Sequence, residues 1–530
     1  GRITRPRFDF VKFRLLAEAA GLITTDRRTL FNFLDTSVLA DRITQHPDFN
    51  ELVFASRRRK SRCFGEEDIG MLHDQWTVEP TAGPTWMLTA FKVPKSNGIS
   101  SRMIADGRPV NELIHALGIH VPPMELPNLR ETIDNSIKYS WGWQSDGVAH
   151  FYQFLMHPSL RALHGITLVA KRGKAHRLRL RCPPMGGTWV PSTIQAISQT
   201  LCDLVKLKVK GDFQFSAWVD NFYCFAESKD VAAAALAEFK NLCEEVRLEC
   251  THGEVIQQME LLGLLFNFKK HEVCLTEKVI AKLDQSINTI RDRTEALDGR
   301  SLLTHFGNVS YINHALRRMP LCFEPKVMSM VRHVCRTQQW DAKVDVGDDV
   351  YDDLTRLLQS CKGAFVDTRT VSDPVGRAND LIAWSDASNT HVAGVLQKGL
   401  VDVATWSMQR PDVADGVSRI YIWELVAWAT GVLLWESLAP ALHCVDNTAA
   451  VRAAVKGHSG SDGGDAVLRM AIPHAGHVPS QLWVASAAER ADFYTRPGDP
   501  KATFLPPTAV DSSRASRPTW TRVRENDISN

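Results

Sequence analysis

Residues Ile420 to Trp435 are apolar on every side of a helix, and Glu424 is the only charged residue among them. A helix with no polar face has to be enclosed by other elements. The run is shorter than the roughly 18 apolar residues that cross a bilayer, so it reads as the core of a layered domain. A lone carboxylate in such a place is costly unless something compensates it. A metal ion would do so, and a neutral core Glu with a raised pKa is the alternative. Strand and helix patterns alternate around this run. Leu381 to Trp384 is a short apolar strand that ends at Ser385-Asp386. Ala441 to Val445 is another, ending at Asp446-Asn447 before an Ala-rich helix, and Val484 to Arg496 contains Asp492. Asp and Asn ahead of a helix are also ordinary N-caps, so Asp446 has two readings.

Two further carboxylates end strands in the first half of the chain. Lys138 to Gln144 alternates Tyr139, Trp141 and Trp143 with smaller or polar residues, a half-buried strand that runs into Ser145-Asp146. Phe213 to Val219 and Phe222 to Phe225 are aromatic-rich runs separated by Asp220-Asn221. Two such strands joined by two turn residues predict a hairpin with Asp220 at its tip. On its own, Asp-Asn is also simply a good turn dipeptide.

With 530 residues, three to four domains are expected. Charged residues make up 23% and hydrophobic residues 44% of the chain, which excludes disorder, collagen and coiled coil as descriptions of the whole. The formal charge of +2 hides a split: residues 81–330 carry 29 basic against 24 acidic side chains, whereas 331–530 carry 20 against 24. A positive middle permits a nucleic-acid partner. Two strips stand out, Arg57-Arg58-Arg59-Lys60 and the stretch Lys171 to Arg181. In the second, Arg177, Arg179 and Arg181 alternate with Leu178, Leu180 and Cys182. A strand would put three guanidiniums on one face, able to track phosphates or to keep an edge from aggregating. The eleven cysteines are scattered and never form C-x-x-C, which points to a reducing intracellular compartment, cytoplasm or nucleus. The opening Gly1-Arg2-Ile3 carries no Met and no apolar leader, and reads as a piece of a longer polypeptide. Residues 501–530 are polar and read as a disordered tail or linker.

In order, these blocks resemble reverse transcriptases. Phe91 to Asn111, F-K-V-P-K-S-N-G-I-S-S-R-M-I-A-D-G-R-P-V-N, resembles the fingers motif, and Asp146 stands where motif A has its catalytic Asp. Pro184-Met185-Gly186 with Pro191 is similar to motif B. Trp218-Val219-Asp220-Asn221 takes the place of the Tyr-x-Asp-Asp box, and Leu261-Leu262-Gly263 to Phe268 is similar to the grip segment after it. The resemblance implies that Asp146 and Asp220 are catalytic and hold two Mg²⁺ ions, which activate a primer 3′-hydroxyl and stabilise leaving pyrophosphate. It further implies that Lys95 and Arg102 neutralise the triphosphate, and that Met185 and Gly186 line the incoming nucleotide. Gly186 would admit close backbone approach, and Phe151 would gate against a ribose 2′-hydroxyl. Trp218 and Asn221 depart from the box. The Asn removes one local charge, which predicts weaker metal affinity and a shifted Mg²⁺/Mn²⁺ preference.

The series Asp386, Glu424, Asp446, Asp492 resembles ribonuclease H, whose four carboxylates hold two divalent ions that activate water against the RNA strand. Val484 to Arg496, V-A-S-A-A-E-R-A-D-F-Y-T-R, is similar to the V-P-S-x-x-N-P-A-D-x-x-S-R ending of hepadnaviral and tyrosine-recombinase retrotransposon enzymes. Val484, Ser486, Ala491, Asp492 and Arg496 match; Ala485, Glu489 and Thr495 depart. His474 and His477 fall in a loop before that ending, where they would assist product release or be merely solvated. The flavour is that of DIRS-like elements, and the V-D-N-F box is similar to that of the trypanosomatid VIPER elements.

The resemblance spans roughly residues 85–496. It implies a multi-domain α/β and α+β chain: an N-terminal extension to 80, fingers and palm of a right-hand polymerase over 81–235, and a thumb over 236–325. A connection over 326–378 and a ribonuclease H-fold α/β domain over 379–500 would follow. The implied activity is RNA-directed DNA synthesis with degradation of the RNA in the hybrid. The implied cofactors are Mg²⁺ or Mn²⁺, two per site, and the implied partners RNA template, DNA primer, hybrid and dNTPs without a membrane, as monomer or homodimer. Two alternatives stand beside it: a non-catalytic RNA-binding scaffold, and a nuclease with a silenced polymerase.

Overall fold

The computed structural model describes residues 3–57, 59, 61, 64–94, 101–169, 175–293, 297–316, 320–344, 347–368, 380–411, 420–438, 440–474, 480–484, 489–496 and 499. The chain divides into two compact units, Gly1–Asn128 with Lys138–Leu261, and Leu129–Ile137 with Leu262–Asn530. No helix of the described residues is long and apolar enough to cross a membrane.

The first unit opens with five helices, α1 (Phe10–Ala19), α2 (Thr25–Asp35), α3 (Val38–Thr44), α4 (Phe49–Ser56) and α5 (Glu66–Asp74). Side chains of Asp9 and Thr24 cap the first two, accepting from the Lys12 and Arg27 amides. Strands β1 (Val78–Pro80) and β2 (Met87–Leu88) lead to the hairpin of β3 (Ala90–Pro94) and β4 (Ser101–Ala105), then α6 (Arg108–Ala116). After α7 (Leu129–Asn135), which belongs to the second unit, come β5 (Trp141–Gly147), α8 (Pro158–Arg161), β6 (Gly165–Val169), β7 (Ala175–Leu180) and α9 (Trp189–Lys208). The unit ends with β8 (Phe213–Trp218), β9 (Asn221–Ala226), α10 (Lys229–Glu245), β10 (Cys250–His252) and β11 (Gln258–Leu261). One four-stranded sheet runs β1-β7-β6-β2 and a second β10-β5-β9-β8.

The second sheet packs on α10 through aromatic residues. Trp143 of β5 is fully buried, its ring 4.9 Å from Phe215 and stacked 5.8 Å from Phe239. Its indole N–H is not wasted, donating to the Ala232 carbonyl at 2.9 Å. The Ser228 side chain caps α10, and Ala232, Ala235 and Phe239 face the sheet. The expected boundary at 235 falls within α10.

The second unit contains a small antiparallel sheet, β12 (Leu264–Asn267), β13 (Glu272–Leu275) and β14 (Phe365–Asp367). Its helices α11 (Glu277–Arg291), α12 (Gly299–Leu316), α13 (Pro325–Thr337) and α14 (Asp348–Lys362) precede the main sheet. Among the described residues of the stretch expected to be a connection, 27 are thus in α-helix, 12 in α13 and 15 in α14. The Asp-rich surface of α14 hides a helical period, since Val350, Leu354, Leu357, Leu358 and Cys361 are all buried. The main sheet has the order β17-β16-β15-β18-β19, from β15 (Leu381–Ala387), β16 (His391–Lys398), β17 (Val401–Gln409), β18 (Leu442–Val445) and β19 (Ser480–Trp483). β16 is antiparallel to β15 and β17, whereas β15, β18 and β19 are parallel. Helix α15 (Ile420–Leu434) is the apolar run, followed by α16 (Thr448–Lys456), α17 (Asp462–Ala471) and α18 (Asp492–Thr495). A buried ion pair joins α13 to α17, Arg332 to Asp465 at 2.8 Å, and Asp465 also accepts from the Ser459 amide. Arg469 of α17 donates to the Cys322 carbonyl at 2.7 Å, and the Cys322 amide donates to Gly457.

Candidate active sites in the two units

In the first unit, β5 delivers Asp146 to the sheet's end, paired across from Thr251 on one side and Asn221 on the other. The β8–β9 hairpin turns at Val219-Asp220, one residue earlier than expected, because Trp218 pairs with Asn221. Asn221 is thus the first residue of β9 and the direct neighbour of Asp146. The Gly147 amide donates to the Asp220 carbonyl at 2.8 Å, which joins the two aspartate-bearing backbones. Val219 adopts φ 60°, a strained value for a β-branched residue. Both its polar groups are held by α9. Its amide donates to Gln195 Oε1 at 2.7 Å, and its carbonyl accepts from Ser198 Oγ at 2.6 Å.

A cavity of about 390 Å³ opens beside this turn, and Arg102, Asp146, Phe151, Met185 and Asp220 all line it. Burial pushes the Asp220 carboxyl above its usual range, while its own backbone hydrogen bond and the Arg102 charge act in the opposite direction. Lys95 lies outside the described residues. The lysine that lines the cavity beside Arg102 is Lys92 of β3, paired with Asp68 of α5 at 2.6 Å. Residues 1–80, in which the sequence discloses no chemistry, supply Asp68 and part of the wall. The F-K-V-P-K block holds Lys92 three residues before Lys95, but nothing in the sequence pairs it with Asp68.

Gly186 is not among the cavity's lining residues. At φ 129°, it packs where a Cβ would meet the Ala105 carbonyl oxygen at 2.4 Å. Asn111 bridges the same contact, donating to the Gly186 carbonyl at 3.0 Å and accepting from the Thr188 amide at 2.8 Å. The close approach that Gly186 permits in this structure is to the end of β4.

β7 alternates as expected, with Leu178 and Leu180 buried and Arg177 exposed. Two of the three guanidiniums are engaged internally, however. Arg179 donates to Thr85 Oγ1 at 2.8 Å and to the Pro84 carbonyl at 3.1 Å. Arg181 lies over the Trp76 ring and 3.7 Å from Glu79. Of these three described guanidiniums only that of Arg177 is exposed, because Thr85, loop carbonyls, a ring and a carboxylate engage the other two. Of the Arg57–Lys60 strip, Arg58 and Lys60 lie outside the described residues, and Arg59 reaches the Met87 carbonyl at 3.5 Å.

In the second unit, oxygens of Asp386, Glu424 and Asp446 lie within 4.8 Å of one another. Asp386 and Glu424 are buried in β15 and α15. Asn447, not Asp446, caps α16, accepting from the Ala449 and Ala450 amides at 3.0 and 3.1 Å. This division leaves the Asp446 carboxylate to the cluster. Burial first, then Asp386 and Asp446, push Glu424 up to about 9. Burial first also raises Asp386, to about 6, against a 2.8 Å hydrogen bond from Thr495 Oγ1. Thr495, a departure from the Ser of the motif, keeps the hydroxyl, which lies within reach of Asp386 at 2.8 Å and of the Asp492 carbonyl at 2.9 Å.

Asp492 is not within the close group. It pairs with Arg496 at 2.7 Å and is near enough to raise both Asp386 and Glu424. Glu489 is a fifth carboxyl, fully buried, and burial first, with Asp386, Asp446 and Glu424 adding to it, pushes its pKa well above the usual carboxylate range. It accepts from the Ala491 amide at 3.1 Å, just ahead of α18. His477 and the His474 side chain lie outside the described residues.

Both groups suit hard divalent cations, which take carboxylate oxygens. Glu424 Oε2 is buried with no hydrogen-bond partner among the described residues, the kind of orphan oxygen a metal would satisfy.

No family model matches the chain, and no curated protein matches it. Among solved structures it is similar to a foamy viral protease-reverse transcriptase dRH in complex with ds DNA, at TM-score 0.47 and 13% identity, over 74% of this chain and 64% of that one. It is also similar to the foamy viral protease-reverse transcriptase in complex with dsDNA (TM-score 0.43, 16% identity, 74% and 77% covered). A third similarity is to the same kind of protein with RNA/DNA hybrid (TM-score 0.44, 13% identity, 86% and 57% covered). The chain spans less than two thirds of the first of these.

Proposed function

We propose that the chain is a retroelement reverse transcriptase with a ribonuclease H activity, of the DIRS-like class that its motifs resemble. One observation carries the reading. Residues from four separate sequence blocks, Arg102, Asp146 with Phe151, Met185 and Asp220, line a single cavity whose floor is a strand end and a hairpin tip. In this reading Asp146 and Asp220 hold the catalytic metals, and Arg102 and Lys92 face the triphosphate. Phe151 borders the sugar. Bound there, two divalent ions would supply an activated 3′-hydroxyl and charge neutralisation on the leaving group. Asp386, Glu424 and Asp446, with Asp492 alongside, would hold the metals of hybrid cleavage, and Thr495 would keep Asp386 aimed.

Asn221 favours a second reading, a nuclease with a silent polymerase, because it removes one carboxylate beside Asp146. One gel separates the two. A labelled DNA primer on a differently labelled RNA template, with dNTPs and Mg²⁺ or Mn²⁺, should show primer extension and RNA shortening together. Shortening alone would establish the second reading, and neither change despite binding would leave a scaffold.

A further inference from the structure

At the wall of the same cavity, which His150 and Val219 also line, lies a polar contact that no motif contains. His150, four residues after Asp146, is fully buried on the turn that follows β5. Its Nε2 lies 3.1 Å from Ser198 Oγ, and that hydroxyl donates to the Val219 carbonyl at 2.6 Å. Ser198 has one proton and spends it on Val219, so His150 must donate from Nε2 and leave Nδ1 bare. Nδ1 has no hydrogen-bond partner among the described residues. It faces Gly147, where an added Cβ would sit 2.3 Å from it. Phe154 and Phe222 present ring edges to the imidazole, with centroids 5.1 and 5.9 Å away. The ring therefore has a single polar anchor.

That anchor joins the two metal-bearing segments. One end belongs to the turn that follows the strand carrying Asp146, and the other holds the residue before Asp220 in its left-handed conformation. We propose that His150 and Ser198 form a positioning relay, which fixes the separation and aim of Asp146 and Asp220 for metal-dependent chemistry. The inference rests on the polymerase reading above. In this reading His150 and Ser198 are positioning residues. Their effect passes through the Val219 carbonyl and the strain it sustains.

The test is primer extension by the full chain on a primed RNA template, with Mg²⁺ titrated and Mn²⁺ as a second probe. His150→Phe keeps the ring volume and removes the donor, and Ser198→Ala removes the hydroxyl. Each should lower kcat about tenfold and raise the Mg²⁺ concentration for half-maximal rate several-fold. The KM for dNTP and the Kd for primer–template should stay within about twofold. The double variant should be no slower than the worse single one, since either change breaks the same relay. Ser198→Thr, which keeps the hydroxyl, should recover part of the rate. Variants that fold and extend like the parent, or losses that add while the Mg²⁺ requirement stays put, would overturn the relay. If Ser198→Ala fails to fold, His150→Phe decides the matter alone by the same readouts. Absence of extension by the unsubstituted chain overturns the polymerase reading, and the relay with it.

Discussion

Replacing Glu424 with Gln should stabilise the metal-free protein. The carboxyl sits in a helix with no polar face, 3% exposed, and burial with two neighbouring carboxylates raises its pKa from 4.5 to about 9. A carboxyl whose folded pKa lies above its unfolded one takes up a proton on folding. The native state is therefore favoured below pH 4.5, and that advantage is lost progressively as pH climbs from about 4.5 to about 9. At pH 7 the gap of 2.5 units corresponds to about 3 kcal/mol at 1.36 kcal/mol per unit. Gln keeps the shape and carries no charge, so most of that penalty should vanish. At roughly 2–4 °C per kcal/mol for a unit of this size, the melting temperature should rise by about 5–10 °C. Calorimetry in EDTA at pH 6, 7 and 8.5 would measure it. The parent should lose stability steadily across that series, and the Gln variant less so. On the metal assignment proposed above, added Mg²⁺ should raise the parent's melting temperature and leave the variant's almost unchanged, because a ligand of the native state alone stabilises it. A parent whose melting temperature is flat from pH 6 to 8.5, or a Gln variant that melts lower, would falsify the claim that an uncompensated carboxylate is held there.

Asp220→Ala should abolish primer extension and spare cleavage of the hybrid, and Asp386→Asn should do the reverse; the two-label gel reads both at once. If extension persists in Asp220→Ala, the metal assignment in the first unit is wrong. Gly186→Ala forces a Cβ against the Ala105 carbonyl at a φ of 129°, and should cost roughly 2–3 kcal/mol in a urea titration. Trp143→Ala removes the ring between Phe215 and Phe239 and should cost about 3–5 kcal/mol. A loss under 1 kcal/mol in either case would contradict the packing described.

What could be read in advance follows from how each residue signals itself. Asp146 and Asp220 were legible because aromatic strands of period two lead into them. Glu424 was legible because a charge in an apolar run has no bland partner. Asp446 could be read either as a cap or as a ligand, and only the Asn447 hydrogen bonds separate the two. Helix α14 was missed because exposed aspartates between its buried residues look like turn chemistry. Asp68, Lys92, His150 and Ser198 carried no signal. Each is a single polar residue whose meaning depends on a partner at least 24 positions away in the sequence. Arg179 and Arg181 show the opposite failure: the period was right, but loops that sequence does not place had already claimed the charges.

The ion pair between Arg332 and Asp465 bears on how this chain can be cut and exchanged. Asp465 has no exposed surface, and its compensating charge comes from a helix that ends more than forty residues before β15 begins. A fragment starting near 380 would leave that carboxylate buried and unpaired, at about 3–5 kcal/mol. It would also strip Cys322 from the apolar cluster around Leu425 and Trp428. The five-stranded sheet is therefore not a cassette that recombination or a cloning primer can lift at the strand boundary. A graft that keeps it whole must carry α13 along, and substitutions at Arg332 and Asp465 should be tolerated only as a pair.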